Sequence, residues 1–167
     1  MRNYINAQVM DSLPHHVMGK IASMTDASDI MSVINSSSKL RQMASTDSFW
    51  IDLYRESGLA YTKQDGIAAY ARDYADKRYV HEMLSYLRRG YRIVISGSDA
   101  ARTMTEIDGT RDSRDVEDAI IYKDDGMIKA LFFGLHTHMY VLPEDKVSYI
   151  LLYMGDHGVN ASIVHTV

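Results

Sequence analysis

The spacing of apolar residues changes near Gly90, and this change limits the folds open to the chain. Before Gly90, apolar residues recur every three or four positions, as they do on the buried face of an α-helix. After Gly90, short runs rich in β-branched and aromatic residues are typical of strands, beginning with residues 91–95. This order predicts an α+β fold, with helices over residues 13–89 and mostly antiparallel strands over residues 91–167.

Residues 13–57 predict four short helices in succession. Pro14 suits the first turn of the first helix, Asp26 is placed to cap the second, and one serine of residues 36–38 is placed to cap the third. Thr46 or Asp47 begins the fourth. The apolar stripes are Val17, Ile21 and Met24, then Ile30, Val33 and Ile34, then Leu40 and Met43, then Trp50, Leu53 and Tyr54. Because each stripe is short, we expect the four helices to pack on one another.

Two further helices are predicted over residues 63–89. Their apolar stripes are Ile67, Tyr70, Ala71 and Tyr74 in the first, and Val80, Met83, Leu84 and Leu87 in the second. Arg88 and Arg89 followed by Gly90 are typical of a helix C-terminus, where cations meet the negative end of the helix dipole.

Beyond Gly90, residues 119–122 and 127–133 are predicted strands around a hairpin turn at residues 123–126. Residues 138–142, 147–153 and 162–167 are further predicted strands. Residues 96–118 carry seven acidic and three basic side chains, and we interpret this segment as a solvated loop. The alternative interpretation is an acidic contact loop for a basic partner.

Charge and composition exclude several classes of protein. The net charge is −4 and the pI about 5.9, which argues against a nucleic-acid-binding protein that needs a broadly basic face. Cysteine is absent, so disulfides and cysteine-ligated zinc are absent too. No apolar run approaches the roughly 18–20 residues of a membrane span, and no secretory signal is visible. We expect an intracellular protein that binds neither nucleic acid nor membrane.

Motifs for catalysis are weak. The chain has no Gly-x-Ser-x-Gly elbow, no phosphate-binding P-loop and no Gly-x-Gly-x-x-Gly fingerprint. His136 and His138 are two positions apart, so on one strand they would share a face, and His157 lies in a later loop. A metal enzyme that uses these three histidines is one hypothesis, and surface histidines are the simpler interpretation. We expect no cofactor, no metal and no enzymatic activity.

One whole segment carries a family resemblance. Its landmarks are Leu13-Pro14, the apolar residues Val17, Ile21 and Met24, the pair Asp29-Ile30, then Val33, Ser37 and Leu40, and the late aromatic run Asp47-Ser48-Phe49-Trp50 with Leu53-Tyr54. In order and spacing, residues 12–57 resemble an F-box. His16 stands where the family often has an acidic residue, and Leu40 and polar residues replace the frequent Cys and Trp of the third helix.

The resemblance implies a role. F-box segments dock on the Skp adaptor of cullin-type ubiquitin ligases, and the rest of the chain selects a target protein. On this basis the chain divides into an F-box-like module over residues 12–57, linking helices over residues 58–90, and a β-rich target-binding region over residues 91–167. The predicted partner-binding residues are Leu13, Pro14, Val17, Ile21, Val33 and Trp50, although Trp50 also suits the core of the module.

A second hypothesis stays open. The helical module is compatible with a structural protein, for example a virion component, whose partners are neighbouring subunits of a large assembly. A compact F-box-like chain with an unfamiliar C-terminal half resembles viral or pathogen-encoded proteins as much as cellular ones. The predicted location is therefore the cytoplasm or nucleus, of a host cell in the viral case, or else the virion.

Overall fold

A computed structural model describes residues 13–165. Residues 1–12 and 166–167 lie outside the described residues, so the first residue of the predicted module and the last two of the final predicted strand do too. The chain divides into two compact units, Met1–Arg78 and Tyr79–Val167. We call their described parts the helical unit (residues 13–78) and the sheet unit (residues 79–165). The fold is α+β, as the sequence predicts.

The helical unit contains the four predicted short helices. They are α1 (His15–Met24), α2 (Ile30–Asn35, preceded by a 3₁₀ turn at Ala27–Asp29), α3 (Ser38–Ala44) and α4 (Asp47–Glu56). The serine cap of α3 is confirmed, because the Ser37 hydroxyl accepts the backbone N–H of Leu40 at 3.1 Å. The predicted cap at Asp26 is wrong, since its side chain makes no capping hydrogen bond.

The two helices predicted over residues 63–89 are one helix of 22 residues, α5 (Ile67–Arg88). The prediction of two was wrong because the helix buries different faces along its length. Near its start, Tyr70 and Tyr74 pack into the core of the helical unit. Near its end, Met83 and Leu87 pack into the core of the sheet unit. The two stripes are therefore out of phase, although the backbone is continuous.

The sheet unit is built on five antiparallel strands in the order β4-β3-β2-β1-β5. The strands are β1 (Tyr91–Ser96), β2 (Val116–Asp124), β3 (Met127–Gly134), β4 (His138–Leu142) and β5 (Ala161–His165). The predicted hairpin is confirmed: Asp125 and Gly126 connect β2 to β3 with φ of 50° and 76°. Positive φ at both central residues is the conformation of a two-residue hairpin turn.

The strand predicted at residues 147–153 was wrong, because these residues belong to helix α7 (Glu144–Asp156). The β-branched and aromatic residues of the segment suggested a strand. Its buried residues instead follow helical spacing: Val147, Ile150, Leu151 and Met154. Pro143 before the helix and two acidic residues in its first turn are the start signals that the strand interpretation overlooked.

The solvated loop predicted over residues 96–118 was wrong over most of its length. Helix α6 (Gly97–Ile107) occupies its first half, and β2 begins at Val116. Ala100, Thr103 and Met104 are the buried positions of α6, and their spacing is helical. The many charged residues of the segment lie on the exposed side of this helix and in the connection that follows it, so they masked the short apolar stripe.

One face of the sheet is covered by helices. Its side chains form a single core with α6, α7 and the last turns of α5. The strand residues of this core include Ile93 and Ile95 of β1, Ala119 and Ile121 of β2, Ala130 and Phe132 of β3, and Leu142 of β4. They alternate along each strand with residues that point away from the helices, as the period of a strand requires.

Candidate protein-docking surface

Helix α1 presents three faces, and each has different surroundings. Met18 and Ala22 are fully buried and attach the helix to the core of the helical unit. On one side of this buried line lie apolar residues that the core covers only in part. On the other side lies a groove with charged walls. The predicted partner-binding residues of α1 all lie on the first of these sides.

We call the partly covered line the α1 stripe: Pro14, Val17, Ile21 and Met24. The four positions are three or four residues apart, so they follow one side of the helix. Pro14 is exposed, and Val17 and Ile21 are half-buried. Met24 is 75% exposed, the same fraction as Leu135, which has the highest value among the large apolar side chains of residues 13–165. The stripe is therefore apolar surface that the core of the helical unit covers only in part, since Ile21 packs against that core while Met24 does not.

Both ends of α1 are held in place. At the start, the Pro14 carbonyl accepts the N–H groups of Val17 and Met18 at 3.1 Å each. The Lys39 ammonium donates to the Leu13 carbonyl at 2.8 Å. At the other end, the Arg78 guanidinium donates to the Thr25 carbonyl at 2.6 Å. A helix fixed in this way loses little conformational entropy when a partner binds it.

The groove on the other side of α1 has a volume of about 740 Å³. It is bordered by α1, α3 and α4, with His15 and Gly19 on α1, Met43 on α3, and Phe49 and Leu53 on α4 among its walls. Ion pairs edge it: Lys20 lies 3.6 Å from Glu56, and Arg55 pairs with Asp52. None of the six predicted partner-binding residues lines this groove. No local sequence pattern indicates the groove, since its walls come from three helices.

The other three predicted partner-binding residues have different environments. Leu13 and Val33 are half-buried and pack against the helical core. Trp50 is fully buried, donates its indole N–H to the Ala44 carbonyl at 2.8 Å, and stacks on Tyr70 at 5.0 Å. A partner cannot touch Trp50 unless the core opens, so this side chain serves the core of the helical unit.

Tyrosine hydroxyls tie α4 and the segment after it to α5. Tyr54 donates to Asp73 at 2.6 Å, and Tyr70 donates to Asp47 at 2.8 Å. The Tyr61 hydroxyl also bonds to that of Tyr70. Burial raises the pKa of Tyr54 and of Tyr70 far above the ordinary value, and their hydrogen bonds to Asp73 and to Tyr61 and Asp47 raise it further. The two phenols therefore stay protonated and act as hydrogen-bond donors between α4 and α5.

No sequence pattern predicted the hydrogen bonds of these tyrosine hydroxyls. Helical spacing identified Tyr70 and Tyr74 as core positions, and the structure buries both. The partner of the Tyr70 hydroxyl, however, lies 23 positions earlier in the chain. Spacing within one helix carries no information about a partner on another helix.

The histidines considered as metal ligands do not come together. His136 lies in the connection between β3 and β4, so it does not share a strand with His138. His157 follows α7, where its ring stacks on Tyr153 at 4.2 Å. Within residues 13–165, no group of three or more His, Cys, Asp or Glu side chains is arranged to hold a metal ion.

The acidic segment neutralises its own bases. Asp99 pairs with Arg102, Asp108 lies 3.6 Å from Arg111, and Asp112 lies 2.7 Å from Arg114. Hydrogen bonds from Arg114 hold the pKa of Asp112 at about 2. The three arginines are thus occupied by the three aspartates, so the acidic excess of the segment comes from its remaining carboxylates.

No helix within residues 13–165 is long and apolar enough to cross a bilayer. No protein-family model matches the chain, and no curated protein or solved structure shows significant similarity to it.

Proposed function

We propose that the helical unit is an F-box-like docking module, which binds a Skp-type adaptor of a cullin-type ubiquitin ligase while the C-terminal region presents a target protein. The observation that carries the proposal is the α1 stripe. Contiguous apolar surface is costly to expose and usually marks an interaction site. The stripe begins at Pro14, the second residue of the Leu13-Pro14 pair from which the family resemblance starts.

The shape of the stripe suits a protein partner. An amphipathic helix whose apolar residues follow one side is a common docking element, because its anchors fill pockets in a groove of the partner. Burying one such side chain contributes about 1.5–3 kcal/mol. Three or four anchors on a helix that is already fixed are enough for a specific complex, since little ordering entropy opposes binding.

The experiment measures binding of the full chain to a purified Skp-type adaptor by titration calorimetry. The double change Leu13→Ala with Pro14→Ala is expected to weaken binding roughly ten- to a hundredfold, which corresponds to about 1.4–2.8 kcal/mol. Leu13 also packs on the helical core, so a second variant is needed that leaves the core intact. Met24→Glu meets this need, because it places a charge at an exposed position of the stripe and is expected to weaken binding by a similar factor.

The matched control for Met24→Glu is Ile51→Glu. Ile51 is an apolar residue of α4 that is 40% exposed, and it lies outside the stripe. Its exchange adds the same charge to the same unit and should leave adaptor affinity within a factor of about two, as expected for a surface position without such a role. Equal losses from both variants would point to a general effect of charge and would refute the stripe as the docking surface.

Gly19 lies in the wall of the groove, on the side of α1 away from the stripe. A Cβ at Gly19 would meet nothing within 4 Å, so a larger side chain can extend into the groove without a clash. Gly19→Phe should therefore partly fill the groove and leave adaptor binding unchanged, with Gly19→Ala as its control. Loss of binding in Gly19→Phe but not in Met24→Glu would move the docking surface to the groove.

One result would remove the F-box-like proposal altogether: no measurable binding of the unmodified chain to the adaptor. Recovery of the chain in stoichiometric amounts within one large assembly that lacks the adaptor would favour the structural alternative.

A further inference from the structure

The face of the sheet that points away from α6 and α7 carries a continuous apolar row. The register aligns one residue from each of four neighbouring strands. The row is Met139 on β4, Leu131 on β3, Ile120 on β2 and Val94 on β1. None of these side chains belongs to the core on the other face or packs against it. We call this surface the open sheet face.

More apolar residues flank the row. Val141 lies beyond it on β4 and Val164 lies on β5, and they are 50% and 45% exposed. Met139 itself is 56% exposed. An antiparallel sheet with helices on one side normally carries polar residues on its solvated side. Four adjacent strands instead place an apolar residue on this side. An apolar surface of this kind indicates a face that another molecule covers when the protein functions.

We propose that the open sheet face is covered by the same face of a second copy of this chain. Two sheets pack face to face about 10 Å apart with their strands nearly aligned, and the side chains of the two faces interdigitate. A face built from medium-sized aliphatic residues and Met suits this arrangement, because its own mate offers an apolar row of the same length.

Lys129 and Asp124 of this face pair with each other, and two other charges of the face, Arg92 and Asp118, are self-complementary. Arg92 precedes Val94 by two positions on β1, and Asp118 precedes Ile120 by two on β2. Because the strands are antiparallel, Arg92 and Asp118 lie on opposite sides of the apolar row. Neither forms an ion pair within residues 13–165, and the Arg92 guanidinium instead lies 5.9 Å from the Tyr122 ring centroid.

A two-fold axis along the apolar row would bring these charges together. Such an axis keeps the order of the strands and reverses their direction. The Arg92 side of the row in one copy therefore faces the Asp118 side of the row in the other. In a closed two-fold dimer each contact occurs twice. Two reciprocal Arg92–Asp118 contacts would then flank one apolar seam, which is an arrangement that an unrelated partner would have to reproduce.

The size of the face predicts a weak dimer. Five strands about 4.8 Å apart and about five residues long cover roughly 400 Å² in each copy. Two such faces together bury roughly 800 Å², which is below the range of stable specific interfaces and is typical of weak ones. We therefore expect a dimer whose population depends on protein concentration in the micromolar range.

Sedimentation equilibrium of the full chain between about 1 μM and 1 mM tests the proposal, since this range spans affinities from about −8 to −4 kcal/mol. The unmodified chain is expected to pass from monomer to dimer. Met139→Lys should shift the midpoint at least tenfold towards higher concentration. The control Leu135→Lys also replaces an exposed apolar residue by lysine, in the β3–β4 connection at a residue that is 75% exposed, and should leave the midpoint unchanged.

A charge exchange tests the geometry of the pair. Arg92→Asp alone sets two carboxylates against each other at each contact, and Asp118→Arg alone sets two guanidinium groups against each other. Each variant by itself is expected to be monomeric over the range that dimerises the unmodified chain. An equimolar mixture of the two should form a heterodimer, because every contact then joins an acid to a base.

Three outcomes overturn the proposal. One is a chain that stays monomeric up to about 1 mM, which would leave the face to an unrelated protein or a lipid surface. Another is a dimer that Met139→Lys and Leu135→Lys weaken equally. The last is a dimer of the unmodified chain without recovery in the mixture of Arg92→Asp and Asp118→Arg. Circular dichroism of each variant confirms that its fold is intact.

Discussion

Different interactions align the helices of the helical unit and the strands of the sheet unit. In the helical unit, side chains hold short helices in place: the Trp50 indole bonds to α3, and the hydroxyls of Tyr54 and Tyr70 bond to carboxylates of α5 and α4. In the sheet unit, the backbone ladder fixes the register, and the core consists mostly of aliphatic side chains and Met. Helices of six to ten residues have no such backbone ladder between them. Hydrogen bonds from the polar groups of buried aromatic side chains therefore fix how these helices align with one another.

The difference extends to the surfaces that each unit leaves uncovered. The helical unit exposes a narrow line along one helix, which suits insertion into a groove of a partner. The sheet unit exposes a broad face that suits another sheet. We therefore expect the stability of the helical unit to fall most when an aromatic side chain loses its hydrogen-bonding group. The stability of the sheet unit should fall most when its core loses side-chain volume or apolar contact.

The largest expected effect is a loss of volume in the sheet unit. Phe132→Ala removes a fully buried ring that packs edge-on against Tyr140 at 5.9 Å. Such a truncation costs about 3–5 kcal/mol of unfolding free energy. Phe132→Leu, which keeps most of the volume, should cost clearly less. Hydrogen exchange resolved along the sequence measures the change in β1, β2 and β3, and equal costs for the two variants would contradict a core held by volume.

A smaller effect is expected from loss of one hydroxyl in the helical unit. Tyr70→Phe removes the donor to Asp47 and the partner of the Tyr61 hydroxyl. Hydrogen bonds to charged groups contribute about 1.5–3 kcal/mol. The matched control is Tyr122→Phe in β2, whose hydroxyl makes no hydrogen bond within residues 13–165, and its cost should stay within about 0.5 kcal/mol. Urea unfolding followed by far-ultraviolet circular dichroism reports on both units, and the fluorescence of Trp50, the single tryptophan, reports on the helical unit. Equal losses of unfolding free energy in Tyr70→Phe and Tyr122→Phe would contradict a helical unit aligned by hydroxyl hydrogen bonds.

The smallest expected effect depends on pH and belongs to the sheet unit. Hydrogen bonds from Arg102 and from the backbone N–H of Asn160 hold the pKa of Asp99 below its ordinary range. Because the folded pKa lies below the unfolded one, ionised Asp99 stabilises the unit above about pH 4, and this stabilisation is lost as the pH falls through the folded pKa. Asp99→Asn lacks the ionisable group at this position. The difference in urea midpoint between the unmodified chain and the Asp99→Asn variant should therefore shrink below about pH 4. A difference that stays constant with pH would contradict a stabilising role of ionised Asp99.

Local patterns predicted much of the fold. The four short helices, the hairpin at Asp125 and Gly126, and most strands follow from spacing and turn residues that lie close together in the sequence. The errors arose where two signals competed. In residues 147–153, β-branched and aromatic residues outweighed the helical spacing of the buried positions and the start signal at Pro143. In residues 97–107, charge concealed a short apolar stripe.

The surfaces were harder to predict than the elements. The sequence indicated Pro14, Val17 and Ile21 because these residues begin an amphipathic helix, and the helix does leave them partly uncovered. It could not separate them from Trp50, because burial of an aromatic ring depends on residues far away in the chain. The open sheet face requires the register of four strands, and the alignment of Val94 with Ile120 is set by backbone pairing that no local pattern reports.

The most direct test of the docking claim is hydrogen exchange of the full chain with and without a saturating amount of purified Skp-type adaptor. We expect complex formation with slowed exchange concentrated in residues 13–24, where the α1 stripe lies, and little change over residues 91–165. No complex, or protection confined to residues 91–165 with residues 13–24 unchanged, would contradict it.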